Sequence, residues 1–171
     1  MTHRFTPLLA ALLAGCVFLT GCETVVMRKA EDLVQRAMVK VRAKGERRLA
    51  EPAEVERQLA CNSAGAAPAR IESSETLPLR VKPGSELNHR MVVATCPGPS
   101  DALTGTLTRR FVYQGRTLFQ DSEPYTLKPG RWSVNVFVGI PPQTVSGAYR
   151  LELRFEKPGL ALERNTDFTV L

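Results

Sequence analysis

Arg131-Trp132-Ser133-Val134-Asn135-Val136-Phe137-Val138 is the stretch on which the fold turns. Trp132, Val134, Val136 and Val138 alternate with Ser133, Asn135 and Phe137. A period of two, rich in β-branched residues, describes a strand with one face in a core. Lys128-Pro129-Gly130 precedes the stretch and Pro141-Pro142 follows it, so turn chemistry bounds it on both sides.

The same signature repeats outward in both directions. Downstream, Tyr149, Leu151, Leu153 and Phe155 alternate with Arg150, Glu152 and Arg154; Lys157-Pro158-Gly159 turns, and Phe168-Thr169-Val170 follows. Upstream lie Leu77–Val81, Leu87–Cys96, Leu103–Tyr113, Thr117–Phe119 and Tyr125–Leu127, broken by Lys82-Pro83-Gly84 and Gly115. This spacing predicts seven or eight strands over residues 76–171, an antiparallel β-sandwich with no interval long enough for a helix.

The strand series from Leu77 to Leu171 resembles bacterial immunoglobulin-like or fibronectin-like domains, and Ser146-Gly147-Ala148-Tyr149-Arg150-Leu151-Glu152-Leu153 is similar to their penultimate strand. The resemblance implies that Tyr149 is a tyrosine-corner residue whose hydroxyl caps a loop backbone. No second cysteine follows Tyr149, so the inter-sheet bridge of antibody domains is missing. An eight-stranded barrel fits the same pattern.

Residues 22–60 read differently. Val26, Ala30, Leu33, Ala37 and Val41 recur at three- and four-residue steps, with Val34 and Met38 beside them. That spacing predicts a long amphipathic helix from about Thr24 to Arg48, roughly 37 Å long at 1.5 Å per residue, preceding the sandwich as a stalk. Gly45 weakens it, and Pro52 restarts a short second helix carrying Val55 and Leu59. The basic run Arg36, Lys40, Arg42, Lys44, Arg47 and Arg48 gives the stalk a face able to lie on an anionic surface. Residues 61–75, opening with Cys61-Asn62-Ser63-Ala64-Gly65, form a small-residue linker.

The first residues carry an address. An apolar run from Leu8 to Leu19 follows Arg4 and is too short for a stable membrane span. It ends in Leu19-Thr20-Gly21-Cys22, which resembles the lipobox of bacterial lipoproteins. The resemblance implies a signal peptide over residues 1–21, cleavage before Cys22, and acylation of the Cys22 thiol. A second match, Leu13-Ala14-Gly15-Cys16, has a minimal apolar run and would leave Val17-Phe18-Leu19 at the new terminus. Glu23, rather than Asp, follows Cys22, which points to the outer membrane, facing the periplasm, over the inner membrane. With Cys16 removed and Cys22 acylated, Cys61 and Cys96 remain as a pair for a disulfide in an oxidising compartment.

Composition narrows the function classes. The formal charge of +6, less Arg4, leaves +5 after processing, suited to an acidic partner or a solvated basic surface. The envelope address disfavours nucleic acid, and nothing indicates a small-molecule ligand or a cofactor. After processing one histidine remains, His89, in His89-Arg90-Met91. An H-x-M on one strand face could hold copper, and any Ser-His-Asp triad must use the same residue. No G-x-S-x-G, H-E-x-x-H, C-x-x-C or phosphate-cradling glycine loop occurs. Pro97-Gly98-Pro99-Ser100-Asp101, Gly139-Ile140-Pro141-Pro142-Gln143, Arg109-Arg110 and Arg131-Trp132 are candidate recognition surface. The sequence therefore reads as a non-enzymatic, membrane-anchored envelope lipoprotein that presents a sandwich to a protein partner, with a secretion or surface-assembly apparatus as a candidate setting. The alternatives are a module for peptidoglycan or a surface glycan, or a metal carrier or hydrolase using His89.

Overall fold

The computed structural model describes residues 42–98 and 103–171. Among these described residues nine strands and one helix follow in the order β1 (Arg42–Ala50), α1 (Pro52–Leu59), β2 (Ala69–Leu77), β3 (Arg80–Val81), β4 (Glu86–Thr95), β5 (Leu103–Tyr113), β6 (Arg116–Leu127), β7 (Gly130–Gly139), β8 (Gly147–Lys157) and β9 (Leu160–Val170). They form two sheets, β1-β7-β4-β2 and β3-β9-β8-β5-β6. All pairings are antiparallel except the two-residue β3–β9 ladder.

The deciding stretch is β7, in the middle of the first sheet, with Val134, Val136 and Val138 buried as the alternation requires. Gly130, which opens it, has φ +99°, and a Cβ there would sit 2.7 Å from the Ala50 carbonyl oxygen. Glycine answers both the backbone conformation and the close passage of β1.

The predicted long helix is corrected over residues 42–48. These residues pair with β7 from Arg42↔Phe137 to Arg48↔Trp132 as an edge strand. Past Val41 the helical stripe stops, and a glycine inside a helix costs about 1 kcal/mol. The open edge of β7 offers a ladder of backbone partners instead, and tertiary pairing overrides weak propensity. The remainder of the expected helix, residues 24–41, lies outside the described residues, as do Arg36, Lys40 and Cys22.

The expected stalk-and-linker division also shifts. β1 and α1, assigned to a stalk, and β2, with residues 69–75 assigned to a linker, belong to the two-sheet body. Pro52 opens α1 at its first turn as expected. The helix lies on the first sheet, where Val55 is fully buried with Ala50 and Ala94, and Leu59 packs beside them. Two expected strands, around Leu118 and Thr126, merge into the twelve-residue edge strand β6, which tolerates Pro124 because its outer side is unpaired.

Cys61, just past α1, is bridged to Cys96 at the end of β4. The bond therefore pins α1 to its own sheet. Closing a 35-residue separation contributes about 4 kcal/mol on the loop-entropy account.

The registers define two ends. One, here the upper end, carries α1, the disulfide and the Lys157-Pro158-Gly159 turn. The other, the lower end, carries Arg42, the β2–β3 crossing, the Gln114-Gly115 turn and the loop from Ile140 to Ser146.

Candidate functional site

The apolar interior is divided. The lower cluster holds Leu87, Phe111, Val136, Tyr149, Leu151 and Phe168 among others. The upper one holds Ile71, Met91, Leu107, Val134, Leu153 and Phe155 among others. Between them, at the waist, period-two geometry sends His89 inward from β4 and Arg109 inward from β5, at 1 % and 2 % exposure.

These two residues anchor a polar belt that reaches both open sides of the sandwich. On the β2/β9 side, His89 Nε2 shares a hydrogen bond of 3.0 Å with Ser74 Oγ. Thr166 Oγ1 donates to the Ser74 carbonyl at 2.6 Å, and Arg164 Nε donates to the Ile71 carbonyl at 3.0 Å, so side chains of one sheet bond backbone of the other. On the far side, Arg109 donates to Glu123 Oε1 at 2.8 Å and lies 3.7 Å from Asp121 Oδ2, both on β6. There the sheets are latched by Glu46 of β1, which accepts from the Tyr125 hydroxyl at 2.9 Å and pairs with Lys128. Trp132 sits at this mouth with the Arg48 guanidinium 4.9 Å and the Lys128 ammonium 5.0 Å from its ring centre.

Burial sets the protonation of the belt. His89 is pushed down to about 3, first by loss of solvent and second by the charge of Arg109. Burial also pushes Arg109 down, opposed by Asp121 and then Tyr125. The Tyr125 phenol is raised, first by burial and then by Glu46.

This arrangement bears on the candidate chemistry. Ser74 and His89 have the distance of a nucleophile and its base, but an imidazole that protonates only near pH 3 is a feeble base at neutral pH. Met91 lies inside with His89, at 1 % exposure. Among the described residues no group of three or more His, Cys, Asp or Glu is placed to hold a metal ion.

Several expected surface residues are placed elsewhere. Arg109, read as surface, is interior, because its position in β5 shares the parity of Leu107 and Phe111. Its buried role had one legible sign, since it falls in phase with apolar neighbours. Ile140 and Pro141 are buried too, and Ile140 is bonded through its backbone to Gly84 and Ser85, leaving Pro142 and Gln143 as the exposed residues of the stretch 139–143. Pro97 and Gly98 are described, whereas Pro99, Ser100 and Asp101 are not. Of the basic run, Arg47 is exposed on β1, Arg48 is spent on Glu51 and Trp132, and Arg42 and Lys44 lie in the strand. Arg131 is held by Glu72 through two bonds of 2.7 and 2.9 Å, and Arg70 reaches the same carboxylate. Arg131, then Arg70, hold the Glu72 carboxyl below its ordinary range against the opposing effect of burial.

No family model matches this chain. No curated protein matches it. Solved structures with a coarse likeness are diverse. They include the alkylpurine DNA glycosylase AlkC of Pseudomonas fluorescens bound to DNA with an abasic-site analogue, at 15 % identity and TM-score 0.47, over 67 % of this chain and 34 % of that one. A Paenibacillus cycloisomaltooligosaccharide glucanotransferase with cycloisomaltoheptaose stands at 21 % and 0.49, over 59 % and 14 %. A superoxide reductase (neelaredoxin) of Ignicoccus hospitalis stands at 19 % and 0.39, over 71 % and 93 %. The chain thus spans about a third or less of the first two proteins.

Proposed function

We propose that this protein is a non-enzymatic envelope lipoprotein, acylated at Cys22, that presents an immunoglobulin-like sandwich to a protein partner on the periplasmic side of the outer membrane. The observation that carries the reading is the Cys61–Cys96 bridge, because structural disulfides belong to oxidising compartments outside the cytosol. It uses the two cysteines left over once Leu19-Thr20-Gly21-Cys22 is read as a processing site.

The strand order supports the immunoglobulin-like part. Lettered as in those domains, β2, β4 and β7 take the places of A, B and E, while β5, β8 and β9 take C, F and G. β1, from the N-terminal side, fills the position beside E that strand D holds elsewhere. Tyr149 near the start of β8 donates its hydroxyl to the Val145 carbonyl at 2.7 Å, the bond of a tyrosine corner. A secretion or surface-assembly complex suits a rigid module of this kind.

Metabolic labelling with a fatty acid tests the anchor. Label in the processed wild type and none in Cys22→Ser is the expected result; unlabelled wild type recovered in the soluble fraction overturns it. Crosslinking in the envelope followed by peptide identification tests the partner class, and exclusive recovery of cell-wall polymer overturns the protein-partner reading.

A further inference from the structure

Four of the five large apolar side chains exposed among the described residues lie at the lower end. Leu77 is 39 %, Leu79 60 %, Val145 53 % and Leu171 43 % exposed. Leu77 faces Asn88 across β2–β4, and Asn88 faces Phe137, the partner of Arg42. Leu79 and Leu171 flank the β3–β9 ladder, with the Thr169 amide donating to Leu79 and the Leu171 amide to Val81. Val145 stands two residues before Gly147, the partner of Val170. Exposed apolar side chains gathered on one end mark a binding surface.

The same end carries exposed Arg80, Lys82 and Arg116 against exposed Glu86, while Arg150 is already paired with Asp167 at 2.9 Å. Its surplus charge is positive, complementary to anionic headgroups. It is also the end at which the chain arrives, since β1 starts at Arg42. The 19 residues from Glu23 to Val41 separate that point from Cys22 and span at most about 65 Å. A tether of that reach does not by itself choose which face meets the bilayer, so the surface must.

We infer that the lower end is a membrane-docking face. Leu77, Leu79, Val145 and Leu171 enter the headgroup layer of an anionic bilayer, and Arg80, Lys82 and Arg116 hold its phosphates. The inference rests on the lipoprotein reading for its local concentration at the membrane, and it orients the module. α1 and the disulfide then point away from the bilayer, toward the partner.

Trp132 supplies an internal reference. It lies five β7 residues above Phe137, about 17 Å along the strand. The processed protein is reconstituted in vesicles of phosphatidylcholine with about a third phosphatidylglycerol, with or without bromine on the acyl chains. Wild-type emission from Trp132 is expected to be unchanged by bromination. In Leu79→Trp the added indole is expected to lose at least half its emission on brominated vesicles, and the loss is expected to shrink severalfold when Arg80→Glu and Lys82→Glu are added. Equal quenching of Leu79→Trp and of Leu160→Trp, at the upper end, overturns the orientation. So does an indole at position 79 already shielded without vesicles, which assigns this end to another part of the chain or to a second copy.

Fatty-acid labelling of the same preparation separates the two readings. Label at Cys22 with an unquenched position 79 defeats the docking face alone. An unlabelled chain whose position 79 is still quenched on anionic vesicles defeats the anchor alone.

Discussion

His89 makes the stability of this domain depend on acid in a way that can be worked out beforehand. The residue is 1 % exposed, and burial with the neighbouring Arg109 charge depresses its protonation to about 3. In the unfolded chain it returns to about 6.5. Because the folded value is the lower one, protons bind the unfolded state preferentially as pH falls. Stability is full above about pH 6.5, declines below it by about 1.4 kcal/mol per pH unit, and levels off near pH 3. Between pH 7 and 4.5 the loss from this one group is about 2–3 kcal/mol. Urea unfolding followed by far-UV circular dichroism at the two pH values, for wild type and His89→Gln, isolates it. Carboxylates titrate alike in both proteins and cancel. Wild type is expected to lose about 2–3 kcal/mol more than the variant over that interval; equal losses would refute the claim that a neutral, desolvated imidazole occupies the waist.

Three further measurements bear on the interior and its staples. Arg109→Met is expected to cost about 2–3 kcal/mol in urea unfolding, and pairing it with Glu123→Gln is expected to cost less than the sum of the two single changes; strict additivity would disconnect the 2.8 Å pair. Replacing Cys61 and Cys96 together by alanine should lower stability by about 2–4 kcal/mol, with loss of protection in hydrogen exchange concentrated in α1; an unaffected α1 would show that its packing on Ala94 suffices. Tyr149→Phe should cost about 1 kcal/mol for the bond to Val145, and ultraviolet titration should remove a phenol pushed up to about 12 by burial and the nearby Tyr113.

The two-sheet body was legible where side chains alternate cleanly. β7 and β8 show their buried faces in the sequence, and the proline-glycine turns mark their limits. The tyrosine at 149 and the cysteine pairing were legible as well, the one through resemblance and the other through parity. β1 was not. Its residues Arg42-Ala43-Lys44-Gly45-Glu46-Arg47-Arg48 carry almost no apolar signal, and Ala50 is the buried residue among 45–50. What makes it a strand is the exposed edge of β7, a fact about another part of the chain. β6 was fragmented for a related reason: Gln120, Asp121, Ser122 and Glu123 look like a turn, yet they face solvent or Arg109 on an edge. The polar belt escaped because periodicity reports where a side chain points and says nothing of whether a histidine or arginine there is tolerated.

That belt also explains why the two sheets meet at one level. Val134 and Val136, or Leu151 and Leu153, are near-equivalent apolar steps, and an interior built only of such residues would accept a sheet displaced by two residues along its strands. The side-chain bonds that run between the sheets do not accept it. At another level Thr166 loses the Ser74 carbonyl, Arg164 loses the Ile71 carbonyl and Tyr125 loses Glu46. His89 and Ser74 share the first sheet, and Arg109, Glu123 and Asp121 share the second, so those contacts travel with their sheets and the alignment is set by the bonds between them. Arg42, where the upstream chain joins, is thereby set at a fixed height on the sandwich, in the same sheet row as Leu77. A module that docks by one end needs that row to stay level.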